Sequence, residues 1–179
     1  MIANILNAIT LSRIFCAILI YLILFLESNY SLALFLFFVA SFSDFLDGYL
    51  ARKTDSVSVL GEILDPIADK LLIVFVLIGL SINLDSFLIG FISAIIISRE
   101  IWVAALRDIN SRNNESDKTK VTFLAKTKTA IQMLAILMYL FGLTLNSMMI
   151  LFFADIILII ALLVTIQTGI QYTISTFKK

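Results

Sequence analysis

One segment near the C-terminus decides the fold class: 147-SMMILFFADIILIIALLVTIQTGIQY-172. Its 26 residues include a single charged side chain, Asp155, and a transmembrane helix needs only about 20 predominantly apolar residues. Five similar runs precede it in the chain. Together the runs predict an all-α integral membrane protein with six transmembrane helices, at residues 4–26, 31–51, 61–82, 86–106, 126–145 and 147–172.

The overall composition agrees with this class and excludes several functions. Of the 179 residues, 61% are apolar and 15% are charged, whereas a soluble domain has roughly half and a quarter. The mean hydropathy is +1.06, and we expect a single domain over residues 1–179. A net charge of zero gives no reason to expect a nucleic-acid partner. The chain has no histidine, which excludes histidine-based triads and metal sites, and its lone Cys16 excludes an intramolecular disulfide.

The positions of the basic residues predict the orientation. All 13 lysines and arginines lie at or near the span ends that face the longer connections, residues 52–60 and 107–125, and the C-terminal tail. Two of the short connections carry Glu27 and Asp85 instead. The positive-inside rule therefore predicts that both termini face the cytoplasm, in a multi-pass protein of the cytoplasmic (inner) membrane. We expect the first run to be retained as a span, because no small-residue cleavage site follows Leu26.

Ionisable residues occur inside or against the cytoplasmic halves of four spans: Asp44, Asp47, Asp65, Asp69, Lys70, Arg99, Glu100 and Lys126. A charge in hydrocarbon costs a few kcal/mol, about 2.5 or more, so such residues normally face an internal aqueous cavity. Two stripes at helical spacing combine carboxylates with small residues: Asp44, Asp47, Gly48 and Ala51 on the second span, and Gly61, Asp65 and Asp69 on the third. Four clustered carboxylates suit Mg²⁺ or Mn²⁺, and we expect two such ions. Alternatively, the aspartates could form a structural salt-bridge network with Arg52, Lys53 and Lys70. We favour the metal site.

The same residues resemble a known family signature. Residues 44–69 match D-x2-D-G-x2-A-R-x8-G-x3-D-x3-D, which is similar to the motif of the CDP-alcohol phosphatidyltransferases. The resemblance implies a metal-dependent enzyme with six transmembrane helices and a site that faces the cytoplasm. Such an enzyme transfers a phosphatidyl group from a CDP-linked lipid to an alcohol.

Further similarities point to the bacterial branch whose acceptor is sn-glycerol 3-phosphate. They lie in residues 7–13, 65–70, 99–100 and 126–132. The implied reaction converts CDP-diacylglycerol and sn-glycerol 3-phosphate into phosphatidylglycerophosphate and CMP, at the surface of the lipid bilayer. Ser58 and Ala125 depart from the expected threonine and glycine, and both replacements are small.

The resemblance assigns roles to individual residues. The metal ligands are Asp44, Asp47, Asp65 and Asp69, and Asp69 is also the general base that takes the proton of the attacking hydroxyl. The CDP-lipid would contact Asp44, Gly48, Ala51, Arg52 and Gly61. The acceptor's phosphate needs cationic partners, for which we predict Arg99, Arg107 and Lys126 first, then Lys128, Arg13 and Lys70.

Several alternatives remain open from the residues alone. The acceptor could be inositol phosphate, serine or phosphatidylglycerol, although basic residues favour a phosphorylated alcohol. A small cation transporter would use the aspartates as ion ligands, but the outer halves of the second and third spans are almost wholly apolar. The residues do not decide whether the protein is a monomer or a homodimer. They also suggest no function for Asp155.

Overall fold

The computed structural model describes residues 2–27, 29–54, 59–120 and 122–178 of the chain. Within these ranges, side chains are not described at positions 2–6, 44–54, 59, 60, 62, 63 and 116. The described part contains six long α-helices, one short 3₁₀ turn at Ser116–Thr119, and no β-strand. The helices are α1 (Ile2–Phe25), α2 (Tyr30–Thr54), α3 (Val59–Asn83), α4 (Phe87–Arg112), α5 (Phe123–Thr144) and α6 (Met148–Phe177). The all-helical prediction is confirmed.

Apolar length identifies the helices that could cross a bilayer. In the described residues, four segments are long and apolar enough: Asn7–Phe25, Phe87–Arg112, Asp117–Thr144 and Met148–Phe177. A shorter apolar stretch, Tyr30–Ser43, lies on α2. The helices therefore fit a multi-pass membrane protein, while the number of six spans stays a prediction.

Local capping determines where several helices begin and end. Ser86 and Thr122 stand before α4 and α5, where their hydroxyl oxygens accept hydrogen bonds from the backbone N–H groups of Ile89 and Ala125 at 3.3 and 3.2 Å. At the end of α3, Asp85 adopts a positive φ of 45°, and the N–H of Ser86 reaches back to the carbonyl of Ser81 at 3.0 Å. This left-handed C-terminal cap reverses the chain within a few residues, so α3 and α4 are antiparallel neighbours.

The core lies between all six helices, and four of them, α1, α3, α5 and α6, illustrate its pattern. The buried apolar side chains recur at helical spacing on each of these helices: Ala17, Ile20 and Leu24, then Leu72, Val76 and Leu80, then Ala135, Ile136, Tyr139 and Leu140, then Ala154, Leu158 and Ala161. Large apolar side chains also cover the outside of the bundle, for example Phe87 and Met148, which are 85% and 83% exposed. An apolar exterior of this kind suits a lipid environment.

One predicted boundary is wrong. The sequence predicted a connection from residue 107 to residue 125, but α4 continues to Arg112. Tertiary contacts explain the extra turns, because Val103 and Leu106 are buried with Tyr172 of α6, and the Asn110 amide donates to the Thr176 hydroxyl at 2.9 Å. Arg107 is therefore a helical residue, and the direction of its side chain depends on how α4 packs against α6.

Candidate active site

Two polar contacts join α1 to α3 at the positions of the predicted aspartates. The Thr10 hydroxyl donates to Oδ1 of Asp65 at 2.6 Å. One turn further along both helices, Nη1 of Arg13 donates to Oδ1 of Asp69 at 2.6 Å. The Arg13 side chain is completely buried, whereas that of Asp69 keeps 29% of its surface exposed. The buried guanidinium thus balances the negative charge of the predicted base, while the exposed part of the Asp69 carboxylate faces a neighbouring cavity.

A cavity of about 480 Å³ lies between α3, α4 and α5 next to Asp69. Among the described residues, seven charged side chains line it: Asp69, Lys70, Arg99, Glu100, Arg107, Lys126 and Lys128. Apolar and neutral polar side chains complete the wall, including Ile73, Ile96 and Gln132. Five cations and two carboxylates give this cavity a positive charge, which suits an anionic ligand.

Glu100 organises part of this charge. Its Oε1 lies 3.0 Å from Nη1 of Arg99 and also contacts Nζ of Lys128, while its Oε2 lies 4.0 Å from Nζ of Lys70. The Lys128 side chain is only 7% exposed and that of Arg99 only 9%. Buried cations need such a partner, because an unpaired charge in this setting is strongly unfavourable.

The far side of Arg99 packs against the C-terminal part of α6. Its Nη2 donates to the Thr168 hydroxyl at 2.8 Å. Its side chain also runs beside Gly169, where an added Cβ would lie 3.1 Å from Cγ of Arg99. Glu100 and α6 together hold the guanidinium in one place on the cavity wall.

The structure brings many of the predicted site residues to this region. The predicted base Asp69 and the predicted acceptor ligands Arg99, Arg107, Lys126 and Lys128 line one cavity. Arg13, a second-rank acceptor ligand in the sequence, instead contacts Asp69. Gly61 lies on α3, one turn before Asp65.

Part of the predicted metal and CDP-lipid site falls outside the described side chains. Asp44, Asp47, Gly48, Ala51 and Arg52 belong to this group, so the convergence of four carboxylates stays a prediction. Among the described side chains, no group of three or more potential metal ligands occurs. Asp65 and Asp69 are both partly exposed and one turn apart on α3, and carboxylate oxygens in that arrangement suit Mg²⁺ or Mn²⁺.

Sequence reasoning gave no role to two residues that the structure places at this site. In the sequence, Glu100 is a charge within a span and, like Gln132, belongs to the segments that resemble the family, and its position next to Arg99 is the signal available. Gln132 is buried, lines the cavity, and donates to the Thr165 hydroxyl at 3.0 Å. A buried amide on an apolar helix is a signal of the same kind, since polar groups within a span need internal partners.

A cavity lined by cationic side chains with an aspartate among them, inside an apolar helical bundle, suits an enzyme that acts on phosphorylated compounds at a membrane. The sequence model of the CDP-alcohol phosphatidyltransferase family matches residues 3–167, and the chain belongs to this family. The family resemblance seen in residues 44–69 is therefore confirmed.

Curated relatives carry a more specific name. The chain is similar to the CDP-diacylglycerol–glycerol-3-phosphate 3-phosphatidyltransferase of Haemophilus influenzae, with 40% identity over 149 residues, which cover 82% of this chain and 78% of the relative. The protein of the same name from Rickettsia bellii is 38% identical over 172 residues, or 94% of this chain and 93% of the relative. That from Escherichia coli is 31% identical over 135 residues, or 74% of each chain.

Proposed function

We propose that this protein transfers the phosphatidyl group of CDP-diacylglycerol to sn-glycerol 3-phosphate, and so forms phosphatidylglycerophosphate and CMP. The observation that carries the proposal is the cavity between α3, α4 and α5, where Asp69 shares one space with five cationic side chains. A base and a phosphate-binding region are both needed when the acceptor is an alcohol that carries its own phosphate. The names of the relatives support the same substrates.

The cations account for acceptor binding. Arg107 and Lys126 are exposed side chains on the cavity wall, at the ends of α4 and α5 where a soluble phosphate can enter. Arg99 lies deeper and is held by Glu100 and Thr168. An arginine offers phosphate a planar, bidentate donor, so Arg99 and Arg107 would orient the acceptor as well as attract it. Serine has no phosphate group and phosphatidylglycerol has a phosphodiester with a single negative charge, whereas sn-glycerol 3-phosphate presents a terminal phosphate with up to two negative charges to these cations.

Asp69 accounts for proton transfer. The acceptor hydroxyl attacks the phosphorus that bears diacylglycerol, the bond from that phosphorus to the CMP oxygen breaks, and Asp69 takes the hydroxyl proton. Its ion pair with Arg13 restricts the carboxylate to one orientation, because Oδ1 is held at 2.6 Å. A bound acceptor phosphate on the cations would bring the attacking hydroxyl close to this carboxylate, and such positioning supplies much of the rate enhancement in phosphoryl chemistry.

The reaction also needs neutralisation of the pyrophosphate of CDP-diacylglycerol. Asp65 and Asp69, together with Asp44 and Asp47, would hold one or two Mg²⁺ or Mn²⁺ ions. Such ions, when bound, stabilise negative charge on the pyrophosphate oxygens. Thr10 supports this arrangement because its hydrogen bond fixes one oxygen of Asp65 at 2.6 Å.

We place the protein in the cytoplasmic membrane, with this site facing the cytoplasm. The α1–α2 and α3–α4 turns lie at one end of the bundle, because the Asn83 amide donates to the carbonyl of Leu24 at 2.8 Å. The α4–α5 connection lies at the other end with the C-terminus of α6, where the Ser175 hydroxyl donates to the carbonyl of Lys118 at 2.8 Å. The cationic cavity is at this second end, which the positive-inside rule assigns to the cytoplasm.

The proposal is tested by a transferase assay with purified protein, labelled CDP-diacylglycerol and a panel of acceptors. We expect CMP release only when an acceptor is present, and the highest kcat/KM with sn-glycerol 3-phosphate. Arg107→Ala and Lys126→Ala should each raise the KM for that acceptor about 10- to 100-fold, the loss of one charge-assisted phosphate contact. The KM for CDP-diacylglycerol should stay nearly unchanged. A preference for inositol phosphate, serine or phosphatidylglycerol would refute the proposed acceptor.

A further inference from the structure

Tyr172 lies in the last turns of α6, beyond residues 3–167 that the family model matches. Only 3% of its surface is exposed, and it is not among the side chains that line the cavity. We propose that Tyr172 is a positioning residue for the acceptor: it holds the guanidinium groups of Arg99 and Arg107 where the acceptor's phosphate binds. This inference rests on the proposed function, because it assigns a cause to the affinity of that site for its second substrate.

The aromatic ring contacts both arginines. The Cζ atom of Arg99 lies 5.7 Å from the ring centroid and that of Arg107 lies 5.6 Å from it. Both distances are within the roughly 6 Å over which a cation is attracted to the electron-rich face of an aromatic ring. An arginine side chain has several rotatable bonds, and ordering it costs entropy. A ring that orders two of them before the phosphate arrives therefore reduces the cost of binding.

Arg107 depends on this contact more than Arg99 does. Arg99 is also held by Glu100 and by Thr168, at 3.0 and 2.8 Å. Arg107 is an exposed side chain in the C-terminal turns of α4, and its guanidinium contacts Tyr172 through the ring and through the hydroxyl. The effect of removing the ring should therefore appear mostly through Arg107.

The hydroxyl group of Tyr172 has a different task. It accepts a hydrogen bond from the backbone N–H of Thr122 at 3.2 Å and donates to the carbonyl of Lys120 at 3.3 Å. Thr122 in turn caps α5, the helix that carries Lys126 and Lys128. The hydroxyl thus attaches the α4–α5 connection to α6, and it also interacts with the Arg107 side chain. The effect of the ring is therefore measured by comparison with Tyr172→Phe, which lacks the hydroxyl but keeps the ring.

Tyr139 provides a matched control. It is also buried, at 1% exposure, and its hydroxyl donates to Asp155 at 2.5 Å within the apolar core formed by α5 and α6. Tyr139→Phe and Tyr172→Phe each remove the hydroxyl of a buried tyrosine, the first between α5 and α6 and the second where α6 packs on α4. Tyr172 alone of the two contacts the predicted acceptor ligands through its ring.

The test compares Tyr172→Phe, Tyr172→Leu and a series with mono-, di- and trifluorinated phenylalanine at position 172, each measured for both substrates. Fluorination keeps the shape of the ring and weakens its attraction for cations, so these variants should fold even if Tyr172→Leu does not. Relative to Tyr172→Phe, we expect the KM for sn-glycerol 3-phosphate to rise with fluorine number to about 3- to 10-fold. The KM for CDP-diacylglycerol and kcat should stay within about twofold, as should all three parameters in Tyr139→Phe.

Two further measurements separate this inference from the proposed function. In an Arg107→Ala background, fluorination at position 172 should have a much smaller effect on the acceptor KM, because the main partner of the ring is absent. A constant acceptor KM across the fluorinated series, with a raised KM in Arg107→Ala, would overturn the role of Tyr172 and leave the acceptor site intact. An unchanged acceptor KM in both Arg99→Ala and Arg107→Ala would overturn this inference together with the proposed acceptor site.

Discussion

Replacement of Asp69 by asparagine tests the proposed base and its ion pair at once. Asparagine keeps the shape of the side chain but cannot take a proton from the acceptor hydroxyl. Loss of a general base lowers turnover by about 10²-fold or more, equivalent to about 2.7 kcal/mol in the activation barrier. The KM values for both substrates should change much less than kcat, because the cations that bind the acceptor remain in place.

The same substitution removes one ion-pair partner of a buried charge. Arg13 is fully buried and its Nη1 lies 2.6 Å from Asp69, and breaking a buried pair costs about 3–5 kcal/mol. Because the Asp69 side chain is 29% exposed, we expect the lower end, about 3 kcal/mol. For a chain of this size that corresponds to a fall of about 6–12 °C in the thermal midpoint.

A double variant separates the two effects. Arg13→Gln combined with Asp69→Asn removes both charges, so most of the lost thermal stability should return while turnover stays low. Asp155→Asn is the matched control, because Asp155 is also partly buried in a long apolar helix but contacts Tyr139 away from the cavity. The assay measures CMP release with purified protein in detergent or liposomes, together with thermal unfolding. Turnover above one tenth of wild type in Asp69→Asn, or restored turnover in the double variant, would show that Asp69 is not the base.

Three other outcomes are expected. Chelation of divalent cations should abolish turnover, and Asp65→Asn should weaken Mn²⁺ binding measured by electron paramagnetic resonance; full activity in metal-free buffer would refute the metal site. Glu100→Gln should lower the thermal midpoint far more than Glu115→Gln, because Glu100 pairs with the buried Lys128. Glu115 and Lys118 form a surface pair at 2.9 Å, which is worth about 0–1 kcal/mol. Equal midpoints in the two variants would contradict this expectation. In a Cys16→Ser background, single cysteines at Asp85 and Asn146 should react with an impermeant thiol reagent added to intact cells, and one at Lys118 should not; the reverse pattern would overturn the orientation.

Much of this organisation can be predicted from the sequence because it depends on local composition and on helical periodicity. Apolar runs long enough to cross a bilayer predict the helices, since backbone polar groups in lipid must be satisfied within the segment. The spacing of Asp65 and Asp69 places both carboxylates on one stripe of α3, whatever the neighbouring helices do. The chemical types of the cations also predict a phosphate site, and five of these predicted ligands line one cavity with Asp69.

The partners of those residues were decided by tertiary structure alone. Arg13 faces Asp69, 56 positions away, and Tyr172 lies between Arg99 and Arg107 because α6 packs on α4. Such contacts depend on the rotation and crossing of whole helices, which a single sequence pattern does not specify. The extension of α4 to Arg112 has the same origin, since the contacts of Val103, Leu106 and Asn110 with α6 outweigh the polar composition that predicted a loop. The sequence by itself therefore determined the helices and the chemistry available to them, whereas the packing of α1, α4 and α6 decided which charges meet.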